Sequence, residues 1–311
     1  MTVISVCSLK GAPGVTTLCC LLAAAWPSST PVAVVEADPS GGDLAARFGL
    51  SSRHGWTSLR SSMRRSEGET VLGPHLQEIS GGLCVLVAAR GDERGGPDDP
   101  EGVAACRASS APGTEGLVVV DLGRLRTDDP VSSSWIRRSD AAMVVVAGDA
   151  AAAVQLRDRA PELRDSAGDR LGVVAVRGGY SLDDLSGFAG LPVVGELPFD
   201  RSAAAVASGG SAAGRRLERS LLWVAATRLA VTLEAQLRSG PGDHPGAPGD
   251  DGVPARSGPA RRQNWKGRIG GRRERRGPAD PVASDRGGAS PDTMEEPADR
   301  HHSVLPQVVR P

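Results

Sequence analysis

Lysine is almost missing. Lys10 and Lys266 are the only two in 311 residues, so 34 of the 36 basic side chains are arginine. With abundant Ala and Gly this marks a GC-rich coding bias, against which a retained lysine stands out. Net charge is nearly absent as well: 36 basic against 37 acidic side chains leave −1, which excludes a protein held to nucleic acid or membrane by bulk charge. Paired cysteines are lacking too. Cys7, Cys19, Cys20, Cys84 and Cys106 are odd in number and show no C-x-x-C spacing, so a reducing cytoplasm is expected rather than a disulfide framework or a zinc site. Cys19 and Cys20 fall in an apolar helical run and read as small buried hydrophobes. No stretch reaches the roughly 18 to 20 apolar residues of a membrane-spanning helix. The apolar N-terminus does not read as a signal peptide, because its first basic residue is Lys10 and Gly11, Pro13 and Gly14 interrupt it.

What is present is a core, since 40% of the residues are hydrophobic and 23% charged. Composition then shifts near Gly240. From Arg238 to Pro311 there are 12 Gly and 11 Pro against nine large apolar residues, too few to offset the entropy of ordering. Residues 238–311 are therefore expected to be a disordered tail behind a domain spanning 1–237. Within the tail, 256–276 carries nine basic residues and one acidic, Glu274. That stretch reads as a solvated linker or as a contact for nucleic acid or anionic membrane. The domain alone has 23 basic and 27 acidic residues, so the near-neutral total hides a basic segment on a mildly acidic body.

Inside 1–237, short apolar runs recur at Thr2 to Ser8, Val32 to Ala37, Leu83 to Ala89, Leu117 to Asp121, Ala142 to Ala147, Leu171 to Val176 and Val193 to Leu197. Continuous rather than alternating apolar runs suit strands covered on both faces. The pattern predicts an α/β fold with a doubly wound, mostly parallel sheet of about seven strands. Helices are expected at Thr16 to Trp26, Val131 to Arg138, near Ala150 to Arg159, and at Gly214 to Leu237. In the last of these, Leu217, Leu221, Leu229 and Leu233 should close the core. The polar stretches Ser51 to Pro74 and Arg90 to Thr114 give no clear placement.

The first strand runs through Leu9-Lys10-Gly11-Ala12-Pro13-Gly14-Val15-Thr16-Thr17 into an apolar helix. A small-residue loop between a buried strand and a helix N-terminus aims backbone N–H groups at one point, where the helix dipole favours an anion. Against the phosphate-loop pattern G-x-x-x-x-G-K-[ST], Gly14 and Thr16 match, Leu9 replaces the first Gly and Val15 replaces the Lys. The glycines also suit an ordinary strand-to-helix turn. Asp38 and Asp121, each at the end of an apolar run, suit a turn or cap as well as a ligand site. The C-terminal ends of parallel strands are nonetheless where open α/β sheets bind ligands.

With Lys10 included, the loop resembles the deviant Walker A of the MinD/ParA family of P-loop ATPases, K-G-G-x-G-K-[ST]-T: Lys10, Gly11, Gly14, Thr16 and Thr17 match, while Ala12 and Val15 do not. Three further segments follow in the family's order. Val34-Val35-Glu36-Ala37-Asp38-Pro39-Ser40-Gly41-Gly42-Asp43-Leu44 resembles its second strand and switch I. Val118-Val119-Val120-Asp121-Leu122-Gly123 is similar to its Walker B and switch II. Leu191 to Asp200, ending Leu197-Pro198-Phe199-Asp200, is similar to its late strand and G-x-[IL]-P-x-D loop.

The resemblance implies ATP held with Mg²⁺ by residues 10–17 and a homodimer whose formation depends on nucleotide. In it Lys10 would reach phosphates, in dimers those of the facing subunit, and Asp38 would orient the attacking water. Thr16, Asp38 and Asp121 would serve the metal and its hydration shell, and Pro198 and Asp200 would lie beside the adenine. It also implies a protein partner and a cytoplasmic protein, including one peripheral to the inner face of the membrane. The family positions division sites, chromosomes, plasmids, flagella or pili. Val15 is the departure that matters, since an isopropyl group in place of the Walker lysine removes charge stabilisation where negative charge concentrates. Slow hydrolysis is the expectation, and a non-hydrolysing scaffold or regulatory subunit of a pilus or secretion machine is the competing one. No cysteine follows Asp121, which argues against a cluster-binding iron protein. Pro306 and Pro311 argue against a terminal amphipathic membrane helix.

Overall fold

The computed structural model describes residues 1–11, 13–65, 72–79, 82–88, 116–126, 129–176, 178–209 and 217–239. All lie in the compact unit Met1–Ala247. The expected tail beyond Ser239, with its basic stretch 256–276, and the segment 90–114 fall outside the described residues.

Eight strands form one sheet in the order β3-β4-β2-β5-β1-β6-β7-β8. They are β1 (Thr2–Ser8), β2 (Val32–Glu36), β3 (Gln77–Ile79), β4 (Leu83–Leu86), β5 (Leu117–Arg124), β6 (Ala141–Ala147), β7 (Leu171–Val176) and β8 (Val193–Leu197). Seven are parallel and coincide with the seven apolar runs; β3 pairs antiparallel with β4 at the edge. The sheet thus has one strand more than the sequence predicts, because a three-residue polar segment carries no periodic signal. Among the described residues the helices are α1 (Val15–Ala24), α2 (Leu44–Phe48), α3 (Trp56–Met63), α4 (Pro130–Arg138), α5 (Ala150–Ala167), α6 (Leu182–Ala189), α7 (Arg201–Ala207) and α8 (Leu221–Ser239).

Burial on both faces of the sheet accounts for the unbroken apolar runs. Val3 and Cys7 of β1 enter one core layer with α3, α4, α5 and α6. Ile4 and Val6 enter the other, with α1, α2, α7 and α8. Cys7, Cys19 and Cys20 are free and buried, and burial pushes the Cys7 and Cys20 thiols up to about 12, as befits small apolar fillers.

Several element ends differ from expectation for local reasons. β4 stops at Leu86 because the next backbone groups leave the ladder: Val87 O accepts from Trp56 N and Ala88 N donates to the Glu36 carboxylate. β5 runs on to Arg124, which pairs with Ser8 beyond a register shift where β5 carries one residue more than β1. α5 continues through Pro161 to Ala167, held on the sheet by buried Ala160, Leu163 and Ala167. In α8 the buried stripe is Leu222, Ala226, Leu229, Ala230 and Leu233. Leu221, expected to close the core, is instead 73% exposed, since the stripe that meets the sheet starts one residue later. Among the described residues no helix is long and apolar enough to cross a membrane.

β1 lies between β5 and β6. The chain leaves β1 towards one edge and, after β5, crosses it to build the other, so the loops diverge above the C-terminal end of β1. Open α/β sheets place their ligand crevice at such a point.

Candidate functional site

The loop from Leu9 to Gly14 rises from that end of β1 and turns into α1. Gly14 takes φ 103° at the cap of the helix, a left-handed conformation that a side chain at Cβ disfavours. No side chain caps α1, and the backbone N–H groups of Gly11 and Gly14 donate to no described residue. A ten-residue helix with uncapped first-turn donors above a buried strand has the fit a phosphate group needs. Lys10 is exposed at the mouth of the loop. Ala12 lies outside the described residues. Pro13 and Gly14 are partly buried.

Val15 is 5% exposed and belongs to the apolar layer under α1. The departure from the Walker pattern is therefore also a packing contact.

Three carboxylates converge beside the helix start. Asp121 ends the apolar run of β5, is 2% exposed, receives the Thr16 hydroxyl hydrogen bond and accepts from Gly123 N at 2.9 Å. Burial, its largest influence, pushes its carboxyl up to about 6. Asp38, past the end of β2, accepts from Ser40 N at 2.7 Å. It is pressed so closely on Gly123 that a Cβ there would lie 1.8 Å from Asp38 Oδ2. Burial raises its carboxyl as well. The structure thus brings Thr16, Asp38 and Asp121 together at one end of the sheet. Among the described residues no group of three or more His, Cys, Asp or Glu side chains could hold a metal ion. A Mg²⁺ here would need phosphate and water oxygens beside Thr16 and these acids, as Mg²⁺ commonly does.

The third carboxylate, Glu36, has no assigned role in the sequence reading. It is 2% exposed. Its Oε1 accepts from Asp43 N at 2.7 Å and Leu44 N at 2.9 Å, and its Oε2 accepts from Ala88 N at 2.9 Å. Burial raises its carboxyl against those three donors. Glu36 pins both ends of the segment that carries Asp38. An acidic residue closing an otherwise apolar strand is the signal that could have found it.

The Pro198 to Asp200 loop stands on the α1 side. Asp200 caps α7, accepting from Ala203 N at 3.0 Å and from the Ser202 hydroxyl at 2.8 Å. Phe199 beside it is 68% exposed, with Arg201 over its ring. At the other end of α7, the Ser208 and Thr17 hydroxyls lie 3.3 Å apart, which joins this element to the start of α1. Pro198 is partly buried and touches none of the carboxylates by a hydrogen bond.

No family model matches the sequence, and no curated protein does. The fold does find relatives: it is that of the MinD/ParA P-loop ATPases, an eight-stranded, mostly parallel sheet with helices on both faces. A ParA family ATPase from Chlorobium tepidum superposes with a TM-score of 0.61 at 17% identity, over 74% of this chain and 98% of that one. MinD in the MinC:MinD cell division complex of Aquifex aeolicus gives 0.59 at 18%, over 76% and 96%. The septum site-determining protein MinD from Pyrococcus horikoshii, complexed with Mg-ADP, gives 0.59 at 16%, over 75% and 96%.

Proposed function

We propose that this chain binds ATP with Mg²⁺ at residues 10–17 and acts as a nucleotide-dependent dimerising switch in spatial positioning of the MinD/ParA kind. Its setting would be a division site, a chromosome or plasmid, a flagellum or a pilus, in the cytoplasm or at the inner face of the membrane. The observation that carries this reading is the conjunction at one strand end: an uncapped α1 with open donors, Thr16 bonded to Asp121, and Asp38 against Gly123. The Mg-ADP complex of one structural relative and the MinC complex of another support the ligand and a protein partner for this chain.

In this reading the loop N–H groups and the α1 dipole bind the phosphates, and Thr16 and Asp121 orient the metal shell. Asp38 holds a water, and Lys10 offers its ammonium to phosphate, in its own chain or across the dimer. The Mg²⁺ would supply charge neutralisation between phosphate oxygens. Hydrolysis is slow because position 15 brings no cation. The burial of Val15 in the core also favours the second reading, in which the fold persists as a non-hydrolysing scaffold or regulatory subunit.

Titrating labelled ATP and ADP with Mg²⁺, following phosphate release, and weighing the protein in solution with and without Mg-ATP separates the two. Binding with a mass increase that Lys10→Ala removes supports the switch. No binding near millimolar ATP sinks it in favour of the scaffold.

A further inference from the structure

Charge at the site is unbalanced. Glu36, Asp38 and Asp121 set three carboxylates around the start of α1, while position 15 contributes a buried isopropyl group and Lys10 alone stands at the loop mouth. A nucleoside triphosphate would add more negative charge where none of the loop's remaining side chains is basic. Such a site needs a second cation from within the chain, close to where the terminal phosphate would meet the two switch segments.

Arg124 has that position. It directly follows Gly123, the residue whose Cα side faces the Asp38 carboxylate at van der Waals limit. Consecutive Cα atoms are about 3.8 Å apart, so Arg124 starts one peptide from the junction of the two switch segments. Its backbone pairs with Ser8, the last residue before the phosphate loop, and Leu125 N bonds Ser8 O at 2.8 Å. Arg124 therefore moves with the root of the loop. It borders a groove of about 670 Å³ whose walls also include Leu9 of the loop, Ser40 beside Asp38, Arg126, and Gln155, Asp158 and Arg159 of α5.

Of the neighbouring cations among the described residues, Arg159 and Arg47 are committed, and Arg126 is the one alternative on the same groove. Arg159 is engaged by Glu162 through two hydrogen bonds of 2.6 and 2.8 Å, and Arg47 pairs with Asp43. Arg126 is exposed on the same groove but starts two residues farther from Gly123 than Arg124 does. Arg124 is exposed and makes no ion pair with any described residue. A planar guanidinium that can offer two parallel N–H groups matches phosphate oxygens better than a point charge does.

We propose that Arg124 supplies the cation that position 15 lacks, binding the terminal phosphate of a nucleoside triphosphate from the switch II side of the loop. The proposal rests on the nucleotide reading above. It predicts a distinction between ligands, because only the triphosphate carries the group that Arg124 holds, whereas the loop N–H groups serve ATP and ADP alike.

The experiment is calorimetric titration of Mg-ATP and Mg-ADP into the full-length protein and its Arg124→Ala, Arg124→Lys and Arg126→Ala variants, with thermal midpoints recorded alongside. Arg124→Ala should weaken ATP by about tenfold or more, the loss of a charge-assisted contact, and leave ADP within about twofold. Arg124→Lys should keep part of the difference, and Arg126→Ala should keep all of it. If Arg124→Ala binds ATP as tightly as the unaltered protein, or loses ATP and ADP in equal measure, the assignment is wrong while the nucleotide reading stands. If the unaltered protein binds neither nucleotide, that reading fails and the assignment goes with it.

Discussion

Gly123 and Asp38 leave no space between them: a Cβ built on Gly123 falls 1.8 Å from Asp38 Oδ2, and Gly123 itself sits at φ 57°. The contact joins the end of β5 to the segment after β2, so the two halves of the site are set by one missing side chain. Gly123→Ala should therefore cost on the order of 1–3 kcal/mol, combining left-handed strain with displacement of the carboxylate. A lower denaturant midpoint at unchanged m-value would show it. An unaltered midpoint would mean that the two segments part freely.

Asp121 is held in a costly state. Its folded value of about 6 lies above the ordinary 3.8, so folding favours its protonated form. Stability from this group is then greatest at low pH and falls as pH rises from about 4 to about 6. The unfolded chain releases the proton first across that window, and the full cost persists above it. The shift corresponds to roughly 2 to 3 kcal/mol. Asp121→Asn should accordingly stabilise the ligand-free protein at pH 7.5 relative to the unaltered chain, and the gain should shrink towards pH 4. Thermal midpoints of both proteins across that range check the sign; a gain independent of pH would refute the titration argument.

Glu36 should matter for order rather than chemistry. Glu36→Gln places an amide among three backbone donors where only acceptors are satisfied, and should cost about 1–3 kcal/mol. Hydrogen exchange offers a local reading: the amides of Asp43, Leu44 and Ala88 should lose protection first, ahead of the strands. Uniform loss across the sheet would make Glu36 an ordinary core residue.

Restoring the Walker lysine has a cost that the loop pattern alone does not reveal. Val15 is packed in the layer beneath α1, and removing its burial forfeits about 1.5 kcal/mol or more. Val15→Lys should melt lower than the unaltered protein without ligand, and regain the difference, with faster phosphate release, when Mg-ATP engages the new ammonium. A variant that melts lower and gains nothing from Mg-ATP would show that the side chain cannot turn towards the loop.

For Asp200, a cap and a ligand contact separate by substitution. Asp200→Ser keeps an N-cap acceptor for Ala203 N and should hold stability, whereas Asp200→Ala should lose about 1 kcal/mol. If ATP affinity follows the serine variant unchanged, Asp200 serves α7 alone; a selective loss of ATP affinity in that variant assigns it to the ligand.

The parallel sheet was legible because both of its faces are buried, which writes each strand as an apolar run: Leu117 to Asp121 and Ala142 to Ala147 needed no other signal. The convergence of Thr16, Asp38 and Asp121 was legible because strand ends and a helix start can be read from the chain. Glu36 was not, since its partners Asp43, Leu44 and Ala88 are set by the fold rather than by spacing. Nor was the burial of Val15, because a substitution within a motif says what is lost from the ligand side and nothing of what is gained on the core side. β3 escaped because Gln77-Glu78-Ile79 is too short to show a period, and Leu221 misled because leucines at near-helical spacing do not reveal which of two adjacent residues faces inward.

Lys10 is exposed on the loop, and the only other lysine lies in the chain beyond Ser239. Across the whole folded body, then, one side-chain amine stands against a background of guanidinium groups, which do not acylate under mild conditions. An amine-selective label, with the α-amino group and Lys266 resolved by peptide mapping, marks the mouth of the phosphate loop and little else. The coding bias that removed lysine has left the molecule with a single chemical handle at its candidate site, and shielding of that handle is a direct measure of whatever comes to rest there.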